Sequence, residues 1–288
     1  MKLPPFDYAC PTALADAVAL LAAHDGEAKV IAGGQSLVPM LAFRLAAPSL
    51  LIDLRKLDEL RKIDIAASGV TLGAMVRWCE ILNHATLRSA NPLLVAAVEH
   101  VAHYQIRNRG TIGGSIAHAD PAAEMPGVAL TCEAEIAVVG TAGPRTINAE
   151  NFFLGPLTTA LAPDEIIIEI RFPAWPAARR FGFREFARRR GDFAMAAAAL
   201  WYDEEARLAR DAHVGVIGIG DRPQRLTAVE AVLNGRAIDE SVIAQAEAAA
   251  AAAVDPQSDI HASADYRRAL TGVMVERALR GAANAPRG

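Results

Sequence analysis

Apolar and polar positions along the first quarter of the chain predict one helix, short strands and a hairpin. Residues 12–25 (TALADAVALLAAHD) carry apolar side chains at helical spacing, and Gly26 follows as a typical helix C-cap. The apolar run 28–32 predicts a short strand, and SLLIDL predicts another. KIDIAASGVTLGA alternates around Ser68 and Gly69, which favours a β-hairpin.

The remaining pattern predicts a second group of elements and one domain boundary. Helices are expected at 75–84, at 91–103 and from Pro121 to Ala129, and strands at EIAVVG and at DEIIIEIRFP from Asp164. Two prolines in AWPAARR, residues 174–180, indicate a boundary. Three strand-like runs follow it, FGFREFARR, FAMAAAALWYD and DAHVGVIGIG, and then helices near 225–234, 239–254 and 263–281. A sheet followed by helices is typical of a small α+β domain.

Two Gly-Gly-polar stretches, AGGQSL and TIGGSI, each follow apolar sequence and predict binding loops. Glycine lets backbone N–H groups approach a ligand closely, and successive N–H groups form an anion-binding concavity. Two such loops fit the two anionic groups of a diphosphate, although each Gly-Gly pair alone also suits an ordinary tight turn. Compared with the G-x-G-x-x-G motif, the first loop lacks the third glycine and the helix expected immediately after it. Compared with the G-x-x-x-x-G-K-[ST] motif, the second loop lacks the lysine that binds phosphates. The pattern therefore predicts neither a Rossmann site nor a nucleotide-hydrolysing P-loop.

Composition narrows the class of protein. The 288 residues are 52% hydrophobic, which permits a sizeable core and two domains of ordinary size. The net charge of -4 gives no reason to expect nucleic acid or an anionic membrane as a partner. Three widely spaced cysteines without a C-x-x-C pair argue against disulfides, a zinc site or an iron–sulfur cluster in this chain. Unpaired cysteines indicate reduced thiols, and the first residues, MKLPPFDYACP, lack the apolar run of a signal peptide. No stretch is long and apolar enough for a membrane span, so we expect a cytoplasmic protein.

Several polar residues beside these loops are further candidates with equally plausible structural roles. His118 and Asp120 either contact a ligand or form a local turn network before Pro121. His100 and His103 share a helical face, but no third metal ligand is evident. Arg107 and Arg109 either compensate diphosphate charge or face solvent, and the run 188–190 either meets a partner or a bound ligand or is a solvated face. No Ser-His-Asp or Cys-His catalytic arrangement is indicated by spacing.

Four segments together resemble a known family over essentially the whole chain. They are AGGQSLVPMLAFRLAAPSLLIDL, TIGGSIAHADPAAEMP, RRRGDFAMAAAA and SDIHASADYRRALTGVMVERAL. In this order they resemble the FAD-binding medium subunit of molybdenum hydroxylases, such as the carbon monoxide dehydrogenase medium subunit and the FAD chains of bacterial xanthine dehydrogenases. The resemblance implies an α+β fold: an FAD-binding domain of the p-cresol methylhydroxylase type and a C-terminal domain of the CO dehydrogenase flavoprotein type. The expected bounds are 1–175, with subdomains of about 1–57 and 58–175, and then 176–288.

The resemblance also implies which residues bind FAD, and no catalytic side chain or metal ligand is expected. Both glycine loops are expected to hold the diphosphate and the ribityl chain. Glu124 is expected to contact the adenosine part, and Ile167 is expected to lie near the flavin. Arg184 occupies a position where relatives carry a lysine. The expected set is Ala32, Gly33, Gly34, Gln35, Ser36, Leu37, Thr111, Ile112, Gly113, Gly114, Ser115, Glu124, Ile167 and Arg184.

The implied function is electron transfer within a complex. Substrate would be hydroxylated at a molybdenum cofactor in a large subunit, and electrons would pass through two [2Fe-2S] clusters of a small subunit to the FAD. The FAD would then reduce an external acceptor, NAD⁺ or a quinone/cytochrome-type carrier. The expected assembly is a dimer of heterotrimers. Two alternatives remain: a free-standing flavin reductase of the same fold, such as the UDP-N-acetylenolpyruvoylglucosamine reductases, and a scaffold subunit that has lost FAD.

Overall fold

The computed structural model describes residues 2–285, in which helices and strands alternate irregularly along the chain. The strands are β1 (Asp7–Ala9), β2 (Ala28–Ile31), β3 (Leu50–Asp53), β4 (Ile63–Ala66), β5 (Gly69–Gly73), β6 (Glu135–Gly140), β7 (Gly143–Asn148), β8 (Phe153–Gly155), β9 (Thr158–Thr159), β10 (Ile166–Pro173), β11 (Arg179–Phe186), β12 (Ala196–Glu205), β13 (Leu208–Ile217) and β14 (Gln224–Arg225). The helices are α1 (Leu14–Ala22), α2 (Leu37–Ala42), α3 (Trp78–Asn83), α4 (Leu87–Ala90), α5 (Pro92–Val98), α6 (Tyr104–Arg107), α7 (Ile112–His118), α8 (Glu124–Thr131), α9 (Ala149–Phe152), α10 (Thr227–Leu233), α11 (Glu240–Ala253) and α12 (Ala264–Asn284), with 3₁₀ turns at Leu54–Lys56 and Asp58–Arg61.

Three main sheets organise these elements. The first is parallel, in the order β1-β3-β2, and packs with α1 around a small core. The second is antiparallel, in the order β4-β5-β10-β6-β7, and the third is antiparallel, in the order β11-β12-β13-β14. The hairpin expected at 63–73 is confirmed as β4 and β5.

The third sheet is buried on both faces, which explains its alanine-rich strands. On β12, Ala197 and Ala199 join the core of the second sheet, whereas Ala196, Ala198 and Leu200 join a core with α10, α11 and α12. Small side chains allow both layers to approach: a Cβ on Gly182 would lie 2.1 Å from the carbonyl oxygen of Ala278 on α12. The C-terminal part is therefore packed directly against the N-terminal part.

Several expected elements differ from the structure. A short helix, α2, does follow the first glycine loop, and Pro39 is tolerated because it lies in the first turn. The second Gly-Gly pair is not a loop, since it forms the first turn of α7 after the N-cap Thr111. The helix expected over 91–103 ends at Val98, and the chain then turns through Ala102, whose φ is +40°, before α6.

Candidate functional site

A cavity of about 1270 Å³ is lined by residues from both halves of the chain, including strands of the first two sheets and the segments that flank strands of the third. It exceeds the roughly 300–1,000 Å³ of a drug-sized pocket, as an elongated ligand requires. Both glycine segments form part of its wall. From the sequence-predicted set, the lining residues are Ala32, Gly33, Gly34, Gln35, Ser36, Leu37, Thr111, Gly113, Gly114, Ser115, Glu124 and Ile167.

Both glycine segments pack closely against backbone because their glycines have no side chains: Gly33 packs against the chain just before the second segment, and Gly113 against Ala74. A Cβ on Gly33 would lie 2.2 Å from the carbonyl oxygen of Arg109, and one on Gly113 would lie 2.5 Å from the Cβ of Ala74. Gly34 has a φ of +71°, which L side chains rarely adopt. Glycine is therefore required here for close packing and for one left-handed turn.

The first segment presents unused hydrogen-bond donors to the cavity. The backbone N–H groups of residues 33–37 donate no hydrogen bond to any described residue. The Gln35 side chain folds back onto the loop, donating from Nε2 to the carbonyl oxygen of Gly33 at 2.9 Å. The Ser36 hydroxyl also has no described partner. These residues are half-buried and line the cavity, so their free N–H groups are available to an anion there.

The second segment behaves differently, because its backbone donors are already used. Ile112 N–H donates to the carbonyl oxygen of Val76 at 3.0 Å, and Gly113 N–H to that of Ala74 at 3.0 Å. Gly114 N–H donates to Oγ1 of Thr111 at 3.2 Å. This segment offers the cavity a smooth backbone surface and the Ser115 hydroxyl, which makes no hydrogen bond with a described residue.

Two expected site residues lie away from the cavity. Ile112 is fully buried in the core, and its side chain does not line the cavity. Arg184 is exposed and faces α12, where its Nη2 lies 3.0 Å from the position a Cβ on Gly281 would take. Strand alternation on β11 places Phe183 and Glu185 on the opposite face. Neither the Ile112 nor the Arg184 side chain is positioned to contact a ligand in the cavity.

The other polar candidates divide into cavity residues and turn residues. His118 and Asp120 line the cavity, and Asp120 Oδ1 also accepts the N–H of Ala122 at 2.9 Å, which is the turn network expected before Pro121. Burial lowers the pKa of His118, and the charge of Asp120 opposes that shift.

The arginine candidates are also separated by the fold. Arg107 is committed to the main chain, donating from Nη1 to the carbonyl oxygens of Val101 and Ala102 at 2.8 and 2.9 Å. Arg109 is exposed and does not line the cavity. Arg188 does line it, with Nη2 lying 2.9 Å from Nδ1 of His261.

Of two buried carboxyl groups, Glu124 lines the cavity and Glu185 does not. Burial raises the pKa of Glu124, at the start of α8, to about 7, and the charge of Asp120 adds to this. Burial and then the charge of Glu124 raise the pKa of Glu185 to about 8, and its Oε2 has no hydrogen-bond partner. Nδ1 of His100 lies 4.0 Å from Glu185, but burial lowers the pKa of His100. Both shifts favour the neutral forms, so this contact is not an ion pair at neutral pH.

No group of three or more histidine, cysteine, aspartate or glutamate side chains within residues 2–285 is arranged to hold a metal ion. His100 instead packs its ring edge-on against Phe183, with the centroids 5.0 Å apart. In the same range of residues, no helix is both long and apolar enough to cross a membrane.

Apart from Arg188, which the run 188–190 had already made a candidate, cavity residues from the C-terminal part were not expected from the sequence. They are Gly191, Asp192, Phe193, Ala194, Met195, Gly218, Ile219, Gly220, Asp221, Gln257, Asp259, His261 and Arg267. The RRRGDFA and SADYRR segments, which carry part of the family resemblance, were the available signals. Spacing alone does not reveal that these segments close one wall of the cavity.

Comparisons with known proteins agree over the full length of the chain. Residues 4–175 match the family model described as the FAD binding domain in molybdopterin dehydrogenase, and residues 181–282 match the CO dehydrogenase flavoprotein C-terminal domain. The nicotine 6-hydroxylase medium subunit of Paenarthrobacter nicotinovorans is 40% identical, covering 97% of this chain and 98% of that protein.

Solved structures show the same fold. Carbon monoxide dehydrogenase from Hydrogenophaga pseudoflava matches with a TM-score of 0.95 and 37% identity over 98% of each chain. Quinoline 2-oxidoreductase from Pseudomonas putida 86 matches with a TM-score of 0.94 and 38% identity over 98% of each chain. The α+β architecture expected from the sequence, an FAD-binding domain followed by a CO dehydrogenase flavoprotein C-terminal domain, is confirmed.

Proposed function

The chain belongs to the family of FAD-binding medium subunits of molybdenum hydroxylases, and we propose from this premise that it is the electron-transfer subunit of such a complex. Its FAD would receive electrons from [2Fe-2S] clusters of a small subunit. The electrons would then pass to an external acceptor, NAD⁺ or a quinone/cytochrome-type carrier. The molybdenum cofactor would lie in a large subunit, where the substrate is hydroxylated.

The observation that carries this proposal is the run of unused backbone donors at residues 33–37. They border a cavity large enough for a dinucleotide, and they need no lysine to hold a diphosphate. A side chain on Gly33 would force the first glycine segment away from the chain that leads into the second, since its Cβ would overlap the Arg109 carbonyl. The residues present therefore fit FAD.

Each wall of the cavity has a distinct proposed role. The donors of residues 33–37 bind the diphosphate, and the hydroxyls of Ser36 and Ser115 add hydrogen bonds to the phosphates or ribityl chain. Thr111 and the paired glycines after it give the ligand a close backbone surface. Glu124 contacts the adenosine part, and Ile167, which is buried in the wall, excludes water near the flavin. Arg184 and Ile112 are left out of this assignment because they face elsewhere.

FAD, when bound, supplies one- and two-electron redox chemistry, which this chain lacks in its own side chains. The protein contributes binding, orientation and the exclusion of water. Burial raises the pKa of Glu124 to about 7 and that of Glu185 to about 8, which reduces the negative charge near the bound cofactor at neutral pH. We also propose domain bounds of 1–175 and 176–288, with a subdomain break near residue 57, a dimer of heterotrimers, and a cytoplasmic location.

The two alternatives are less well supported. The C-terminal family match at residues 181–282 favours a subunit of a complex over a free-standing flavin reductase. The intact donors of the first glycine segment disfavour a scaffold that has lost FAD. An isolated chain that oxidises NADPH with added substrate would favour the reductase, and a folded chain without affinity for FAD would favour the scaffold.

The test has two stages. The purified full-length chain is titrated with FAD, and the flavin released on denaturation is identified; bands near ~450 and ~370 nm on the folded chain are expected. The holo-chain is then mixed with its reduced [2Fe-2S] partner under anaerobic conditions, and bleaching near ~450 nm is followed. Retention of FAD without any reduction by the partner would contradict the electron-transfer role while leaving FAD binding intact.

A further inference from the structure

The SADYRR segment at the start of α12 has no role in the proposed function so far, yet its first arginine is buried beside the cavity. Arg267 is 8% exposed and lies in the first turn of α12. Its Nη1 donates to the carbonyl oxygens of Met195 and Gly218 at 2.9 and 2.6 Å, and its Nη2 donates to Oδ2 of Asp259 at 2.7 Å. A single guanidinium therefore joins three segments that are distant in sequence.

All three acceptors of Arg267 belong to the cavity wall. Met195 follows the GDFA sequence, Gly218 directly follows β13, and Asp259 lies in the connection between α11 and α12. The guanidinium, which itself lines the cavity, consequently holds the C-terminal wall together.

The same wall is connected to the N-terminal part. Gly218 N–H donates to the carbonyl oxygen of Pro121 at 2.9 Å, and Ala194 N–H to that of Ala122 at 3.4 Å. Pro121 and Ala122 form the turn that leads into Glu124. A displacement of the Arg267 acceptors would therefore move the turn before Glu124 as well as the C-terminal wall.

Asp259 holds the connection between α11 and α12 in one conformation. Its Oδ1 accepts the N–H groups of His261 and Ala262 at 2.8 and 2.9 Å, while Oδ2 accepts from Arg267. The hydrogen bond from Arg267 is the main reason that the pKa of Asp259 is lowered to about 2. The carboxylate thus remains charged at neutral pH, and the pair persists.

We propose that Arg267 is a positioning residue for bound FAD: by holding the segments at Met195, Gly218 and Asp259 together, it determines how tightly the cavity retains the cofactor. The inference rests on the proposed FAD-binding function and extends it to a residue that does not itself touch the diphosphate loop. Arginine suits the task because its planar fork reaches several acceptors at fixed angles, which lysine cannot do.

The experiment compares FAD release with thermal stability in the full-length chain. FAD-loaded protein is diluted, the rise in free-flavin fluorescence gives the dissociation rate, and the unfolding temperature is measured in parallel. The variants are Arg267→Met, Arg267→Lys and Asp259→Ala. Arg225→Met is the control, because Arg225 forms a partly buried ion pair with Glu230 and does not line the cavity.

Arg267→Met is expected to release FAD about tenfold faster or more, as the loss of charge-assisted hydrogen bonds implies. Arg267→Lys should restore part of the retention, and Asp259→Ala should accelerate release less than Arg267→Met. Arg225→Met should lower the unfolding temperature and still release FAD at the wild-type rate. This split separates positioning of the cofactor from a general loss of stability.

The possible failures are distinguishable. Wild-type release rates in both Arg267→Met and Asp259→Ala would overturn the inference and leave FAD binding unaffected. A wild-type chain that binds no FAD would overturn the proposed function and the inference with it. Should Arg267→Met not fold, Asp259→Ala decides alone, since the Asp259 side chain is 46% exposed and its loss leaves the core intact.

Discussion

Replacing Gly33 by alanine tests whether the junction of the two glycine segments builds the cofactor site. The new Cβ would lie 2.2 Å from the Arg109 carbonyl oxygen and 2.8 Å from the Cα of Gly110, whereas ordinary contacts begin at 3.4 Å. The backbone must therefore separate by about 1.2 Å, the difference between 3.4 and 2.2 Å. Because the clash is with main chain on both sides, no side-chain rotation relieves it.

Overpacking of this kind costs about 1–3 kcal/mol, which corresponds to about 2–4 °C in unfolding temperature per kcal/mol. We expect Gly33→Ala to unfold several degrees lower and to bind FAD at least about tenfold more weakly, because the unused donors of residues 33–37 move with the loop. Calorimetry gives the first quantity, and titration of FAD fluorescence gives the second.

Gly155→Ala is the matched control, since an added Cβ there meets nothing within 4 Å and its φ is not positive. It should behave like the wild type in both measurements. Wild-type affinity for FAD in Gly33→Ala would refute the reasoning, because it would mean that the contact between the two glycine segments does not shape the binding site.

Three other substitutions probe separate parts of the structure. Because the pKa of Glu185 is raised to about 8 in the folded state, its contribution to the free energy of unfolding is complete below the ordinary pKa of 4.5 and is lost as pH rises through about 8. This decline amounts to about 1.4 kcal/mol per unit of pKa shift, and Glu185→Gln should flatten it in urea unfolding measured across that pH range. An unchanged slope in the variant would contradict the reasoning. Trp201→Phe removes the 2.8 Å hydrogen bond from Nε1 to the Thr131 carbonyl oxygen and should cost about 1–3 kcal/mol in denaturant unfolding; a loss below that range would mean that the carbonyl finds another donor. Arg184→Ala should leave the dissociation constant for FAD unchanged by equilibrium titration, because the guanidinium packs near Gly281 on α12; a tenfold loss would restore the role expected from the family resemblance.

The sequence predicted much of the architecture, because the relevant signals are local. The hairpin around Ser68 and Gly69, the strand from Ile166 and the long C-terminal helix each follow from a period or a turn residue. The helix over 91–103 was too long, since a turn through Ala102 depends on contacts that the pattern does not contain. Cavity-wall positions on the C-terminal part, Arg188 apart, were missed for the same reason.

The sequence by itself determined that two glycine pairs follow apolar segments and that the chain resembles FAD-binding subunits. Only the tertiary structure decided which backbone donors remain available. In the second segment, the N–H groups of Ile112 and Gly113 donate to the carbonyl oxygens of Val76 and Ala74, which lie more than thirty residues earlier in the chain, whereas the donors of residues 33–37 meet no such acceptor. It also decided that Arg184 faces α12, because alternation along a strand defines two faces but does not say which layer covers each of them.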